Sequence, residues 1–268
     1  MFGMPGTMRI TQARNLVQSR GLLFEWTART LRARYQQSLL GWLWAVIQPA
    51  TQALVFAVVF TLVVPVETGG IPYVVFVYVA TVAWAFLAAS LTDMADSLVA
   101  NMNMVSKIYF PREVLPVAAM LARLLDLAIA AALFAALALY YRVPAVTPAL
   151  AALPVVLLVQ VALVTGIGLA CAALNVFVRD VRSMLLLALQ VWFYASPVIY
   201  PIEAVPAAYR GYFALNPMAG IIEAYRAVLL RGELPGPEFA AAAAASLVAL
   251  AAGWAVFKRY EFLFADVV

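Results

Sequence analysis

Six long apolar stretches dominate this sequence of 268 residues. They span residues 43–64, 71–92, 116–140, 149–174, 183–200 and 239–257. A helix that rises about 1.5 Å per residue needs about 20 apolar residues to cross a hydrocarbon core about 30 Å thick. Only 11% of the residues are charged and the mean hydropathy is +0.97, so little polar surface remains for a soluble fold. The sequence therefore predicts an all-α integral membrane protein with six transmembrane helices.

The positive charges are distributed unevenly between the two sides of such a protein. With six crossings and a cytoplasmic N-terminus, twelve Arg and Lys fall on the cytoplasmic side and four on the other side. Cytoplasmic loops of membrane proteins carry an excess of Arg and Lys, so we expect both termini in the cytoplasm. The attraction of this asymmetry to anionic lipid accounts for the net charge of +4, and we expect no nucleic-acid partner.

Residues 21–42 differ from the apolar stretches because charges interrupt them. The apolar positions that recur there at helical spacing are Leu23, Trp26, Leu31, Tyr35 and Leu39. This pattern predicts an amphipathic interfacial helix in the cytoplasmic headgroup layer. It fits a simple positively charged anchor, and also a helix that borders a cytoplasmic entrance. We accordingly divide the chain into a cytoplasmic N-terminal segment, 1–42, and a transmembrane domain, 43–268.

The predicted cytoplasmic loop 93–115 is too patterned to be a simple connector. An apolar stripe at helical spacing is formed by Met94, Leu98, Met102 and Val105. Because proline stops helices, Pro111 predicts a short helix that ends near Lys107. Adaptable Met side chains favour docking into a groove of another protein. Packing of the stripe against the chain's own span ends is the alternative.

The sequence offers little material for catalysis or metal binding. It contains no His, and its single Cys, Cys171, lies deep in the fourth stretch, where a small packing role is expected. A phosphate-binding P-loop needs G-x-x-x-x-G-K-[ST], and neither Lys107 nor Lys258 follows a Gly-rich turn. We therefore expect no catalytic residue, no metal and no cofactor in this chain. Any ATP-driven work would need a partner.

Two charges lie inside the third stretch. Arg123 and Asp126 are three residues apart and share one helical face. Charges at bilayer depth cost about 2.5–3.5 kcal/mol each on insertion scales, so they should face protein or water. A structural ion pair near the cytoplasmic end is the first interpretation, and proton or ion coupling is the alternative.

The extracytoplasmic segment 201–238 is long and still rather apolar. Two pieces, 203–213 and 217–231, are too short to span the membrane. Asn216 and Pro217 form an N-cap and first-turn pair that predicts the start of the second piece. Short re-entrant or interfacial helices are therefore expected.

Several aromatic residues lie away from the ends of the apolar stretches. Trp and Tyr near span ends ordinarily mark the headgroup layer. Away from those ends, aromatic faces can instead provide nonspecific stacking contacts along a passage. The mid-span candidates for such a channel lining are Tyr78, Trp84, Trp192 and Tyr194.

Four separated motifs occur in order along nearly the whole chain. They are RYQQSLLGWLWAVIQP, KIYFPREVLPVAAMLARLLD, NVFVRDV, and YASPVIYP followed by LNPM. These motifs resemble the permease subunit of ABC-2 type exporters, in the branch that exports polysaccharides such as O-antigen, capsule or teichoic acid. The resemblance implies a homodimer with two copies of a separate ABC ATPase subunit, which binds ATP and Mg. It implies a lipid-linked glycan as the substrate, in a bacterial cytoplasmic membrane.

The resemblance also assigns roles to particular residues. The loop 93–115 would be a coupling helix that docks on the ATPase, and the segment 201–238 would form an outer gate. Coupling residues would be Met94, Leu98, Met102, Lys107, Phe110, Pro111, Arg112, Glu113, Arg179 and Asp180. Gate residues would be Asn216, Pro217, Glu223 and Arg226. For Arg112 and Glu113, pairing with each other to brace the loop is an equal alternative. Export of a small hydrophobic drug or lipid, and an ATP-independent channel or scaffold, remain alternative functions.

Overall fold

The computed structural model describes residues 20–36, 40–63, 65–107, 110–143, 147–213 and 215–266, and all the regular elements in these ranges are helical. The N-terminal half contains α1 (Arg20–Tyr35), α2 (Trp44–Val58), α3 (Tyr73–Ser97), α4 (Met102–Val105) and α5 (Val114–Tyr140). The C-terminal half contains α6 (Leu153–Phe177), α7 (Asp180–Tyr194), α8 (Ala207–Phe213), α9 (Pro217–Arg226) and α10 (Pro237–Tyr260). Short 3₁₀ or π turns extend several of them. The predicted positions 1–19 and Leu39 lie outside the described residues.

Five helical segments of the described chain are long and apolar enough to cross a membrane. They are Gly41–Leu62, Tyr73–Val105, Val114–Tyr140, Pro148–Phe177 and Pro237–Phe264. They match five of the six predicted stretches and confirm a multi-pass membrane protein. The sixth predicted stretch, 183–200, differs, because α7 has 15 residues and ends at Tyr194. Pro197 and Pro201 follow, and a proline disfavours helix both at its own position and at the residue before it.

Helix α3 lies at the centre of the fold, and α2 lies at its edge. In the segment that contains α3, 72% of the most apolar part is buried. In the segment that contains α2, the corresponding share is 11%. Helix α3 packs against α2, α5, α6 and α7. The exposed side of α2 carries large apolar side chains such as Leu54, Val58 and Leu62. The edge position of α2 leaves this face open to lipid or to another protein.

Helices α6 and α10 make the closest backbone contact. A Cβ placed on Gly253 would lie 1.8 Å from the carbonyl oxygen of Gly166, so neither position has room for a side chain. Small residues let helices approach closely in lipid, where association depends on packing. This contact holds α10 against the core.

The predicted N-terminal helix is present as α1, and it packs against α5. Leu23, Trp26, Leu31 and Tyr35 all lie on its partly buried side, as their spacing predicts. Arg34 lies on that side as well. Phe24 is 72% exposed on the opposite side, so the apolar residues of α1 are not confined to one face.

Contacts at the two ends of α3 define the ends of the bundle. At the C-terminal end of α3, Asp96 pairs with Arg182 at the start of α7, and nearby Phe177 packs on Tyr260 at the end of α10. At the N-terminal end, Tyr73 donates a hydrogen bond to the carbonyl of Ile199. We call these the Asp96 end and the Tyr73 end.

Candidate functional site

An open cleft of about 740 Å³ lies between α2, α3 and α7. Its aromatic lining residues are Trp44, Phe56, Trp84, Phe193 and Tyr194. Its polar lining residues are Gln48, Thr51, Gln52 and Gln190. The remaining lining residues are Ile47, Pro49 and Leu189, together with Ala85, Ala88 and Ala89 of α3. We call this site the aromatic–amide cleft.

The aromatic rings of the cleft support one another. Phe56 of α2 stacks on Phe193 of α7 with ring centroids 6.0 Å apart and an interplanar angle of 21°. Trp84 of α3 meets Phe193 edge-on at 5.5 Å, and Phe193 meets Tyr194 edge-on at 5.2 Å. Edge-on and offset contacts are the favoured geometries for aromatic pairs. The cluster fixes Trp84 in the floor of the cleft, while Trp44 and Tyr194 are 47% and 59% exposed at its rim.

Three glutamines line the cleft with side-chain amides that have no partner in the described chain. Within the described part of the chain, the side chains of Gln48, Gln52 and Gln190 make no hydrogen bond to another group. Gln48 and Gln190 are exposed and Gln52 is half-buried, so these amides are open to whatever fills the cleft. Against hydrocarbon, an amide without a partner costs several kcal/mol, roughly 4–8 on a cyclohexane scale. Polar groups at membrane depth ordinarily face protein or water and mark functional positions. The cleft is therefore suited to a polar occupant and unsuited to hydrocarbon.

The structure separates the four residues predicted to line one channel wall. Trp84 and Tyr194 do line the aromatic–amide cleft. Trp192 lies behind it, against Trp84 at 5.8 Å, and its indole N–H donates to the Asn216 side chain. Tyr78 does not line this cleft: it is 1% exposed, and its hydroxyl donates to the carbonyl of Ala130. Tyr78 borders a different groove, which is apolar and lies between α3, α5, α6 and α9.

Sequence reasoning missed the three glutamines and the supporting Phe56 and Phe193. A usable signal was present, because Gln48 and Gln52 are one helical turn apart in the first apolar stretch and Gln190 interrupts the fifth. Uncharged amides stand out less than charges in a hydropathy pattern. Their convergence depends on the packing of α2 beside α7, which a single sequence does not show.

A charge cluster joins α1, α3 and α5 beside the cleft. The predicted pairing of Arg123 with Asp126 is confirmed at 3.0 Å. Arg123 also makes a bidentate contact with Asp93 of α3, through Nε at 2.7 Å and Nη2 at 3.0 Å. Arg34 of α1 pairs with Asp93 at 2.6 Å and with Asp126 at 3.0 Å. Two cations and two carboxylates thus form a closed network that ties α1 to the bundle.

Tyr35 completes this charge cluster. Its hydroxyl donates to the second carboxylate oxygen of Asp126. Burial, with the neighbouring Asp126 carboxylate, raises the pKa of Tyr35 to about 12, so the phenol remains a proton donor at neutral pH. Sequence reasoning did not find Arg34, Tyr35 or Asp93, because they lie far from Asp126 in the sequence.

A small cavity of about 60 Å³ connects the charge cluster with the cleft. Arg123 and Asp126 line one side, and Gln48 and Pro49 of α2 line the other. Pro49 has no N–H, so the carbonyl of Ala45 loses its usual helical partner, and Ala45 lines the same cavity. Its lining is mainly apolar but includes three polar side chains, Gln48, Arg123 and Asp126, and its volume is large enough for water.

The predicted N-cap at Asn216 is confirmed. The Asn216 side chain accepts a hydrogen bond from the backbone N–H of Met218 at 3.0 Å, and Pro217 occupies the first turn of α9. The same side chain accepts from Trp192 at 2.8 Å and donates to Ser196 Oγ at 2.9 Å. The start of α9 is therefore fixed to the end of α7, at the depth of Trp84.

Helix α9 runs from there toward the Tyr73 end. Arg226, near its end, is fully buried, donates to the carbonyl of Val198 at 2.9 Å, and lies over the ring of Phe76 at 3.7 Å. Glu223 lies 3.8 Å from Arg226 and 2.7 Å from Arg231. The predicted neighbours Glu223 and Arg226 are thus close together, but Arg226 anchors α9 inside the chain and does not present a polar surface.

At the Asp96 end, the loop before α5 is braced by the C-terminal residues. Arg112 donates to the backbone carbonyl of Glu261, and Glu113 pairs with Lys258 at 2.9 Å. Lys258 also pairs with Glu261 at 2.8 Å. Burial raises the pKa of Glu113, and the Lys258 ammonium opposes that shift. The suggested pairing of Arg112 with Glu113 is wrong, since each residue has its partner in the C-terminal segment.

The predicted docking stripe is largely buried. A short helix does end close to Lys107, because α4 covers Met102–Val105. Met94 and Leu98, however, are 0% exposed, and Met94 fills the space above Gly168 of α6. Neither side chain forms a docking surface in this structure, because the core of the bundle takes up both. Met102 is half-buried and Lys107 is exposed.

The other predicted coupling residues have mixed positions. Phe110 and Pro111 are half-buried beside α5, and Arg179 and Asp180 are exposed at the start of α7. The ion pair in that second loop is made instead by Arg182, which reaches Asp96 at 3.3 Å. The Asp96 end is thus formed by α4, the start of α7 and residues 258–266, and we call this surface the platform.

The chain matches the family described as ABC-2 type transporter over residues 22–230. It therefore belongs to this family of membrane transport components, and the family resemblance drawn from the motifs is confirmed. The O-antigen export system permease protein RfbA of Myxococcus xanthus is 32% identical over 259 residues, covering 94% of this chain and 98% of the relative. RfbA of Klebsiella pneumoniae is 27% identical over 97% of this chain and 100% of the relative.

A more distant relative has a different named substrate. The polysialic acid transport protein KpsM of Escherichia coli is 22% identical over 242 residues, covering 87% of this chain and 91% of the relative. The similarity to all three relatives extends over nearly the full length of the chain.

Proposed function

We propose that this chain is the membrane permease of an ATP-driven exporter that moves a lipid-linked polysaccharide of the O-antigen, capsule or teichoic acid type across the bacterial cytoplasmic membrane. The names of the relatives support this substrate class. The observation that carries the proposal is the aromatic–amide cleft, in which Gln48, Gln52 and Gln190 have no partner in the described chain. Aromatic faces and free amides are the groups that sugar rings and hydroxyls use for stacking and hydrogen bonding.

The contacts of residues 180–199 support a sixth crossing. Arg182 pairs with Asp96 at one end of α3, and Ile199 accepts from Tyr73 at the other end. These two positions of α3 are about 35 Å apart at 1.5 Å per residue, which exceeds the hydrocarbon thickness of about 30 Å. Helix α7 covers the first part of this distance, and the segment 195–199, which is buried at 196–198, covers the rest. Both termini are then cytoplasmic, because the end of α10 lies at the Asp96 end.

Helices α8 and α9 serve as the outer gate. Trp192 contacts both Asn216 and Trp84, so Asn216 lies at about the same depth as Trp84. Trp84 is about 16 Å along α3 from Tyr73. The chain therefore enters the membrane to about half its depth and returns along α9. Irregular backbone at such depth is tolerated where protein covers it, and Ser196 and Val198 are fully buried. The gate is held by Arg226 and Asn216.

A second copy of the chain closes the cleft. The open side of the cleft continues into exposed apolar faces of α2 and α7, which carry Leu54 and Val58, and Leu187 and Val191. A two-fold axis beside these faces would place two clefts opposite each other and shield the free amides from lipid. The homodimer thus encloses a passage lined on both sides by the same aromatic and amide groups.

A separate ABC ATPase subunit, two copies per dimer, binds ATP and Mg and docks on the platform at the Asp96 end. Residues Val99 and Phe262 are apolar and exposed there, at 40% and 71%. The contacts of Arg112 and Glu113 with the C-terminal segment make that platform one unit. A displacement of α4 by the ATPase would move α3 directly, and the charge cluster would transmit that movement from α3 to α1.

The proposal is tested in cells that make a lipid-linked glycan and lack this chain. The wild-type chain with its ATPase should restore glycan on the cell surface. Replacing Gln48, Gln52 and Gln190 together by Leu should reduce surface glycan at least about tenfold, because apolar side chains cannot replace the lost hydrogen bonds. The amount of the variant in the membrane should be unchanged or higher, since Leu suits this depth better.

The controls separate the alternative functions. Leu158 of α6 is 66% exposed and remote from the cleft, and Leu158→Gln serves as the matched polar exchange that should leave export unchanged. Export by a variant of the partner ATPase that cannot hydrolyse ATP would indicate an ATP-independent channel. Full export by the triple Leu variant would indicate that an apolar path is sufficient, as expected for a drug or lipid exporter.

A further inference from the structure

We infer that the glycan transported through the aromatic–amide cleft is electrically neutral, and that the cleft rejects polymers that carry a carboxylate on each repeat. This inference rests on the proposed function and specifies its substrate. The relatives do not decide the question, because their names include both O-antigen export and polysialic acid transport.

The first observation is the charge of the cleft wall. The residues that line the cleft include no Asp, Glu, Lys or Arg. Its polar groups are the amides of Gln48, Gln52 and Gln190 and the hydroxyl of Thr51. An amide offers both a donor and an acceptor, which suits hydroxyl groups in any orientation. Carboxylates are instead bound by Arg or Lys, whose charge offsets their desolvation.

The second observation is that the nearest charges are already neutralised. Arg123 and Asp126 line the small cavity behind Gln48, but Arg123 contacts both Asp93 and Asp126. With Arg34, the charge cluster holds two cations and two carboxylates, so it adds no net positive field to the cleft. Each of the two cations is already paired with both carboxylates.

The third observation concerns the exit from the cleft. Among the cations of segment 201–238 whose side chains the structure describes, Arg226 lies 3.8 Å from Glu223, and Arg231 contacts both Glu223 and Glu233. Arg226 is fully buried under Phe76 and does not reach the cleft. Of these two cations, Arg226 is therefore out of reach of the polymer, and Arg231 is already paired with two carboxylates.

Entry of each charged repeat into the cleft therefore carries a free-energy penalty. A carboxylate that enters a charge-free site at bilayer depth loses its hydration and gains no counterion. Because the homodimer repeats the same wall on the opposite side, the second copy supplies no cation either. A neutral sugar loses only hydroxyl hydration, which the amides and aromatic faces replace.

The experiment uses the complete transporter in two strains that lack their own exporter. One strain makes a lipid-linked neutral polymer, and the other makes a lipid-linked polymer with a carboxylate on each repeat. Surface and intracellular polymer are measured in both, with the amount of the chain in the membrane as a reference. We expect at least about tenfold more export of the neutral polymer, given the cost of a single charge at this depth.

Substitutions of one residue then test the cause. Gln52→Lys should raise export of the acidic polymer several-fold and lower export of the neutral one. Gln52→Glu, a matched change of opposite sign, should leave the acidic polymer inside the cell. The ratio of acidic to neutral export corrects for any loss of folded protein, because both strains carry the same variant.

Two results would contradict the account at different levels. Equal export of both polymers by the wild-type chain, or identical ratios for Gln52→Lys and Gln52→Glu, would overturn the neutral-glycan inference and leave the proposed function intact. Export of neither polymer, with the chain present in the membrane and bound to its ATPase, would overturn the proposed function and this inference with it.

Discussion

At the scale of single residues, the four aromatic residues that the sequence placed in the middle of apolar stretches have different roles. Trp84 and Tyr194 line the cleft, whereas Tyr78 and Trp192 donate hydrogen bonds inside the chain. Tyr78 and Trp84 are six residues apart on α3, a rotation of about 240°, so they face different neighbours. The helical period alone would have placed Tyr78 and Trp84 on different faces of α3. They were grouped as one channel lining because both are aromatic.

A first prediction follows for the aromatic residues. Replacing Trp44, Trp84 or Tyr194 singly by Ala should slow glycan export only a few-fold, because a sliding polymer meets many equivalent stacking contacts of about 0.5–1.5 kcal/mol each. The triple replacement should nearly abolish export. Initial rates of surface glycan appearance provide the measurement, normalised to the chain in the membrane.

Tyr78 supplies the contrast for that series. Tyr78→Phe removes the hydrogen bond to Ala130 and should lower the free energy of unfolding by about 1 kcal/mol while export per folded chain is unchanged. If replacing Trp44, Trp84 or Tyr194 alone removed all transport, the cleft would be a binding pocket with a fixed register and not a sliding surface.

The second prediction concerns the charge cluster. Asp126→Asn leaves Arg34 and Arg123 with only Asp93 as a carboxylate partner, so it should destabilise the fold. In a double-mutant cycle with Arg34→Gln, the coupling energy should be about 1–3 kcal/mol, because the two side chains share one network. Thermal unfolding in detergent gives these values.

Arg32→Gln is the matched control for this cycle. Arg32 is exposed on the same helix and belongs to no ion pair in the described chain. Its cycle with Asp126→Asn should give a coupling energy near zero. Equal coupling for Arg32 and Arg34 would mean that α1 is held by general attraction and not by the observed contacts.

At the scale of helices, backbone contact between α6 and α10 is a condition for the fold. The third prediction is that Gly253→Ala destabilises the protein by about 1–3 kcal/mol, because the added methyl group would meet the Gly166 carbonyl. The measurement is thermal unfolding of the purified chain with its ATPase. Export should fall in parallel with the amount of folded protein.

Gly21→Ala is the control for this helix contact. Gly21 lies in α1, and a Cβ there would have no atom within 4 Å. Alanine also favours helix by up to about 1 kcal/mol relative to glycine, so this variant should be as stable as the wild type or more stable. If both glycine variants were equally stable, α6 and α10 would not be in the close contact that the structure shows.

At the scale of the whole molecule, the sequence was sufficient for the spans and the family. Length and apolarity located five spanning segments, since the bilayer sets both properties directly. The end of α7 was misplaced because the apolar run continues through Pro197 and Pro201, and hydropathy does not register a break in backbone geometry. The Asn216 cap was found because its signal is local.

The parts of the site that were missed depend on long-range packing. Arg34 meets Asp126 across 92 positions of sequence, and Gln190 joins Gln48 only because α7 lies beside α2. Met94 and Leu98 were assigned to a docking stripe because an apolar helical face looks the same whether a partner or the chain's own core covers it. Span positions are local properties, whereas the site is a tertiary one.

The central claim is that glycan passes along the aromatic–amide cleft, and crosslinking from a single position tests it most directly. A photoreactive phenylalanine analogue at Tyr194 should crosslink to the glycan when the complete transporter is supplied with ATP and lipid-linked glycan. The same analogue at Leu158, which is exposed on the far side of α6, should crosslink only to lipid. Glycan attached at Leu158 and absent from Tyr194 would contradict the account.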